Sequence, residues 1–322
     1  MKMLDVSLHA DEPLRAGLLR VGDTLIQNAL DHIRSLAGDQ AEDVRLVRVT
    51  IKRLRAMLRL IRPVIGKTVF DRENTRLRNA ARRLSSARDS VVARQTLATL
   101  PLSTERKRDA VAAALAGFKQ NGKPEAEIRK TMSRLELDLA ETKRNLHRIR
   151  VSKHEWKAVE PGLRQLYRQC RKRMERALGQ RDDKAFHKWR IRVKSLYYGL
   201  QMLQRVWPER IDKMLADLGR LQEEIGADHD LVVLKRSMRE TPDAFQGTET
   251  IEQVVDSLDD KSKKLRRVIE PLGRAIFDQT SRDFVRELGQ RWNKWRKTSS
   301  QELVPETPEP LEVTLDRVAS PR

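Results

Sequence analysis

Val44-Arg45-Leu46-Val47-Arg48-Val49-Thr50-Ile51-Lys52-Arg53-Leu54 lines up with Phe186-His187-Lys188-Trp189-Arg190-Ile191-Arg192-Val193-Lys194-Ser195-Leu196, a shift of 142 residues. A second match follows at nearly the same distance in each copy. Asp89 stands 41 residues after Arg48, within Leu84-Ser85-Ser86-Ala87-Arg88-Asp89-Ser90-Val91-Val92. Asp230 stands 40 residues after Arg190, within Ile225-Gly226-Ala227-Asp228-His229-Asp230-Leu231-Val232-Val233-Leu234. Two motifs in one order at one separation imply an internal repeat, and therefore two homologous helical halves.

On the first repeated helix, Arg45, Arg48, Lys52, Arg55, Arg59 and Arg62 recur at spacings of three and four, which at about 100° per residue gathers them on one stripe. At about 1.5 Å rise per residue the stripe is about 26 Å long. Leu46, Val47, Leu54, Met57, Leu58 and Ile61 fall on the other side, and no acid interrupts the cationic face. The second helix carries a shorter version in His187, Arg190, Lys194 and Arg205, with Tyr197 and Gln201 between, and has no Asp or Glu from Lys184 to Trp207. Like charges at i, i+4 repel, so an all-basic face costs stability unless an anion neutralises it. A charge run on a single helix is ordinarily a solvated face. Recurrence at the same place in both halves favours a binding face instead. Asp89 and Asp230 read as structural, capping a helix or orienting the cations by ion pairing.

The rest of the chain fits an all-α protein. Among 322 residues, 39% are hydrophobic and 35% charged but only 4% aromatic, a balance that suits long charged helices and disfavours strands. Periodic segments span about 12–36, 41–61, 71–97, 104–118 and 125–149, with Pro63, Gly66, Pro101 and Asn121-Gly122-Lys123-Pro124 as punctuation. The pattern resumes at Glu160-Pro161 and predicts helices to about 178, then over 183–206, 209–225, 228–240, 251–276 and 282–297, with Pro271 as a further break. Residues 1–297 are expected to form one helical domain, with halves at about 10–150 and 155–297. Beyond Thr298, Pro305, Pro308 and Pro310 and the acids Glu302, Glu306, Glu309, Glu312 and Asp316 predict a flexible acidic tail over 298–322.

With 66 Lys and Arg against 46 Asp and Glu, the net charge of +20 attracts polyanions and leaves nucleic acid, polyphosphate and anionic membrane all open. No run approaches the roughly 20 apolar residues of a membrane span, and the first residues lack a signal-peptide core, so a cytoplasmic protein is expected. The single cysteine, Cys170, reads as a packed helix residue. His187 and His229 have no partner at zinc-ligand spacing, and no phosphate-binding Gly-rich loop, nucleophile elbow or HExxH sequence is present. Neither an enzyme, a metal nor a cofactor is expected. With only 14 aromatics, base stacking has little to work with, which leaves nucleic acid the weaker alternative.

The stretch from Phe186 through Tyr198 resembles the His-x-x-Arg-x-x-x-Lys-x-x-x-Tyr helix of the CHAD family, the conserved-histidine α-helical domain, and Ile225-Gly226-Ala227-Asp228-His229-Asp230 resembles its second motif. The resemblance covers about residues 10–297. It implies two pseudo-symmetric bundles of long helices around a basic central groove or pore, binding of inorganic polyphosphate, and association with polyphosphate granules and their proteins. Together with the stripe, it points to Arg45, Arg48, Lys52, Arg55, Arg59, Arg88, His187, Lys188, Arg190, Lys194, Tyr197 and His229 as the binding residues. In the first half Arg45 takes the histidine position, so the resemblance implies a lopsided site. The Glu-x-Glu-x-Lys signature of the triphosphatase domain fused to many relatives is absent from these 322 residues. An adaptor role, with granule anions in the groove and a partner on the outer face or tail, is the further alternative.

Overall fold

A computed structural model describes residues 4–34, 40–84, 125–151, 155–240 and 248–302, and among these every regular element is a helix. In the first half, α1 (Leu14–Arg34), α2 (Gln40–Leu60), α3 (Arg62–Arg83) and α4 (Glu125–His147) pack as α1 on α2, α2 on α3, and α4 on both α1 and α3. In the second half, α5 (Glu155–Gln180), α6 (Asp183–Met202), α7 (Pro208–Glu240), α8 (Thr248–Ile276) and α9 (Ser281–Glu302) pack as α5 on α6, α6 on α7, α7 on α8 and α9 back on α5. The two repeated helices, α2 and α6, lie directly against each other, and α5 also touches α2 and α3.

The amphipathic pattern decides which faces meet. Val44, Val47, Ile51, Leu54, Met57 and Leu58 of α2 are buried, as are Phe186, Trp189, Val193, Leu196 and Leu200 of α6, so both helices turn an apolar face into one large core. A separate small core of Leu231, Leu234, Met238, Ile251, Val254, Val255 and Leu258 holds the far ends of α7 and α8 together. The approach of α5 to α2 depends on Gly162, because a Cβ there would lie 1.8 Å from the carbonyl oxygen of Leu60.

Local chemistry sets the ends. Asp182 caps α6, its carboxylate accepting from the Ala185 N–H at 2.6 Å. Thr280 caps α9 by accepting from the Asp283 N–H at 3.2 Å. Glu155 accepts from the Leu14 N–H at 2.7 Å and pairs with Arg296 at 2.6 Å, so one carboxylate joins the starts of α1 and α5 to α9.

The break expected at Pro63 and Gly66 is present: α2 ends at Leu60, α3 begins at Arg62 with Pro63 in its first turn, where a missing N–H is harmless, and Gly66, at φ 75° and ψ 162°, interrupts the helical path with a kink. Other expected boundaries move. Pro161 and Pro271 lie inside α5 and α8. Gly226 does not divide 209–240, since α7 runs unbroken through it with Ile225 and Asp228 buried on either side. α9 passes the expected limit at 297 and reaches Glu302, there being no helix breaker before Pro305. The segment 104–118 and residues 303–322 of the acidic tail lie outside the described residues.

Candidate polyanion-binding cavity

Where α2 crosses α6, the two helices and their neighbours line a half-open cavity of about 540 Å³. From α2 it is lined by Arg48, Lys52, Arg55 and Arg59, from α6 by His187, Arg190, Ile191, Lys194, Ser195 and Tyr198, from α3 by Arg78 and Arg82, and from α7 by His229, Asp230 and Val233. Of the expected residues, Arg48, Lys52, Arg55, Arg59, His187, Arg190, Lys194 and His229 therefore share one space. Among the described residues, eight cations and one carboxylate, Asp230, line it.

The remaining candidates lie elsewhere. Arg45 turns back one helical turn to Glu42, which it grips through Nε and Nη2, each at 2.6 Å. Lys188 is exposed on the outer side of α6. Tyr197 packs against the main core, and its neighbour Tyr198 takes the cavity position, under the guanidinium of Arg53 at 5.8 Å. Arg62 belongs to α3, stacked on Phe70 at 4.9 Å. Arg88 and Asp89 lie outside the described residues.

Arg78 and Arg82 were not singled out from the sequence, although a signal for them exists. α2 and α3 are separated only by Ile61, so they must fold back as neighbours, and Asn74, Arg78 and Arg82 recur every four residues on the α3 face toward α2. Asn74 is the positioning residue: its Oδ1 accepts from Arg55 Nε at 3.0 Å and from Arg59 Nη2 at 3.3 Å. Arg59 also donates to the Arg55 carbonyl at 3.1 Å, and Arg48 to the Leu84 carbonyl at 2.8 Å. Asp230 enters the cavity as well, whereas the neighbouring Asp228, 1% exposed, is taken up by Ser262 and Arg266.

The electrostatics record the crowding. Burial, then the neighbouring Arg78 and Arg192, lowers Arg55 to about 10, and burial, then Arg55 and Arg192, lowers Arg59 to about 9. Both stay charged at neutral pH, desolvated and facing like charge. Burial also raises Tyr198 above its ordinary value. A second cavity of about 330 Å³ shares Arg55, Arg59, Arg78 and Ile191 with the first and continues past Arg192, Gln165 and Gln169. Cys170 is fully buried, and burial holds its thiol protonated. Among the described residues no cluster of His, Cys, Asp or Glu is arranged to hold a metal ion, and no helix is long and apolar enough to cross a membrane.

Comparison with known proteins agrees with this architecture. No curated protein matches the sequence. The crystal structure of the CHAD domain from the plant Ricinus communis superposes with a TM-score of 0.64 at 19% identity, covering 86% of this chain and 96% of that one, which establishes a shared fold. The CHAD domain family model matches residues 23–239, a span that takes in both repeated helices and both linings of the cavity. On that match, the chain belongs to the CHAD domain family.

Proposed function

We propose that the cavity between α2 and α6 binds inorganic polyphosphate and that the protein acts as a binding module with no catalytic step. The observation that carries the reading is the convergence of Arg48, Lys52, Arg55 and Arg59 from one half with Arg190 and Lys194 from the other on one half-open cleft. Arginine forks and lysine point charges match the non-bridging oxygens of a phosphate chain, and a narrow cation-lined cavity takes a slender polymer that has no bases to accommodate. Arg55 and Arg59 are held charged against burial and mutual repulsion, a cost that a bound polyanion removes. Tyr198 is the one aromatic residue lining the cavity among the described residues, too little for the serial stacking that single-stranded nucleic acids use. By the same reading the protein is cytoplasmic and reaches polyphosphate granules, and any protein partners there, through its ligand.

The test is a titration of long-chain polyphosphate and a charge-matched DNA duplex at about 150 mM salt, repeated across a salt series. With eight lining cations, polyphosphate affinity should fall with a log–log salt slope of about −6, and the R48Q/K52Q/R190Q/K194Q variant, which removes four of them, should lose about half of that slope while keeping its helical circular dichroism. DNA binding as tight as polyphosphate binding, or a variant that binds unchanged, would overturn the reading. In cells, a fluorescent fusion of that variant should no longer collect at granules, and continued collection would argue for recruitment by a protein instead.

A further inference from the structure

Five of the six histidines lie among the described residues, and their surroundings divide them. His9, His32 and His147 each sit on a carboxylate, Asp5 at 2.8 Å, Asp43 at 2.9 Å and Asp23 at 3.0 Å. Among the described residues, His187 and His229 have no such partner. They pack on each other in the cavity wall with ring centroids 4.6 Å apart, and Nδ1 of His187 is buried with no hydrogen-bond partner. Arg190 and Lys194 face the pair from α6, and Arg236 and Asp230 from α7. Across the cavity stand Arg48 and Lys52 of α2, with Arg78 and Arg82 of α3 beyond.

Among the described residues, the charged groups around the pair other than Asp230 oppose a positive imidazole. Burial, then Arg190, His187 and Lys194, pushes His229 down to about 3, and burial, then Arg190, lowers His187. A phosphate chain entering the cavity reverses the sign of that field. It also supplies acceptor oxygens, which an imidazolium with two N–H groups can satisfy at both nitrogens. Because the rings touch, a proton on one discourages a proton on the other.

We propose that the His187–His229 pair makes this a proton-linked polyanion site: both imidazoles are neutral while the cavity is empty, and a bound chain draws one proton from solvent onto the pair. The inference takes its ligand class from the polyphosphate reading, but it concerns the pair's response to any polyanion in the cavity. Binding then strengthens as pH falls from 8 toward 6, by up to about tenfold per pH unit, on top of the pH-independent contribution of the arginines and lysines.

The experiment is calorimetric titration of the full chain at pH 6 and pH 8, each in two buffers of different ionisation enthalpy, so that the buffer dependence counts protons taken up. Long-chain polyphosphate, whose end groups are few, is one probe, and dextran sulfate, whose sulfates do not titrate, is the other. The expected result is uptake approaching one proton per site at pH 6 and little at pH 8, absent in the H187N/H229N variant. The histidine resonances of the wild type should report the same event, moving to charged-form shifts on saturation at pH 6, which keeps the idea testable if the variant does not fold. Absence of uptake with either probe, or uptake that persists in a folded variant, would overturn it. Dextran sulfate binding with uptake while polyphosphate does not bind would leave the proton link standing and remove polyphosphate as the ligand.

Discussion

Arg59 illustrates a side chain kept for binding at the expense of the empty fold. Its guanidinium lies among Arg55 and Arg192, and among the described residues it donates to the Asn74 amide oxygen and the Arg55 carbonyl, while burial pulls it down to about 9. Arg59→Met keeps the bulk and removes the charge. The empty protein should then melt about 1–2 °C higher, since relief of about 1 kcal/mol moves the midpoint of a domain this size by that amount. Affinity for long polyphosphate should fall by about tenfold or more, the loss of a charge-assisted hydrogen bond. Thermal melts with and without polyphosphate check both signs, and a variant that loses stability without ligand would show that Arg59 is a structural cation.

Arg45 and Tyr197 show where residue-by-residue reading stops. The stripe on α2 correctly groups Arg48, Lys52, Arg55 and Arg59, because their common side follows from helical geometry alone. Arg45 belongs to the same stripe but has Glu42 one turn earlier, and a local bidentate pair takes it out of the set. Tyr197 and Tyr198 are adjacent, so which of them faces inward depends on how α6 is rotated against its neighbours, and that is decided by packing.

Among the helices, the clamp at Asp228, within α7, positions the cavity wall that His229 and Val233 form. Asp228 accepts from Arg266 Nε and Nη2 at 3.2 and 3.1 Å, and Arg266 in turn pairs with Asp183 at the start of α6 and lies over Phe186 at 4.4 Å. One arginine of α8 thus fixes α7 against α6, with His229 the next residue along. Asp228→Ala leaves a half-buried guanidinium without its buried partner and should cost about 3 kcal/mol of stability in urea unfolding. Polyphosphate affinity should fall too, although Asp228 does not line the cavity. A stability loss under 1 kcal/mol would mean that Asp183 and Phe186 hold Arg266 without it. The motif around Asp228 was visible in the sequence, but the glycine before it suggested a break. Gly226 is tolerated inside α7 because Ile225 and Asp228 anchor the helix on both sides, and a single glycine costs only about 1 kcal/mol.

For the molecule as a whole, the repeat carried the fold. Two copies of one amphipathic helix, each apolar on one side and cationic on the other, bury their apolar faces in one core and lie against each other. What the repeat did not convey was the third wall. Arg78 and Arg82 come from α3, outside the repeated motif, and enter only because α2 and α3 fold back after a single intervening residue. The second cavity likewise depends on α5 crossing α2 at Gly162, a contact between distant segments that periodicity does not encode.

The small core shared by the far halves of α7 and α8 has a kinetic consequence. Seven apolar side chains, apart from the main core, hold this arm together, with help from the Lys235–Asp259 and Arg239–Glu252 pairs. A unit with so few buried contacts opens locally while the rest stays folded. His229 and Val233 sit at its root, so each opening loosens one lip of the ligand chamber. Amides of residues 231–240 should therefore exchange with deuterium well ahead of those in α2 and α6, and polyphosphate should slow them more than any others. If so, the breathing of the arm sets how long a captured chain stays, and stiffening that hairpin would lengthen residence time while leaving the encounter rate unchanged.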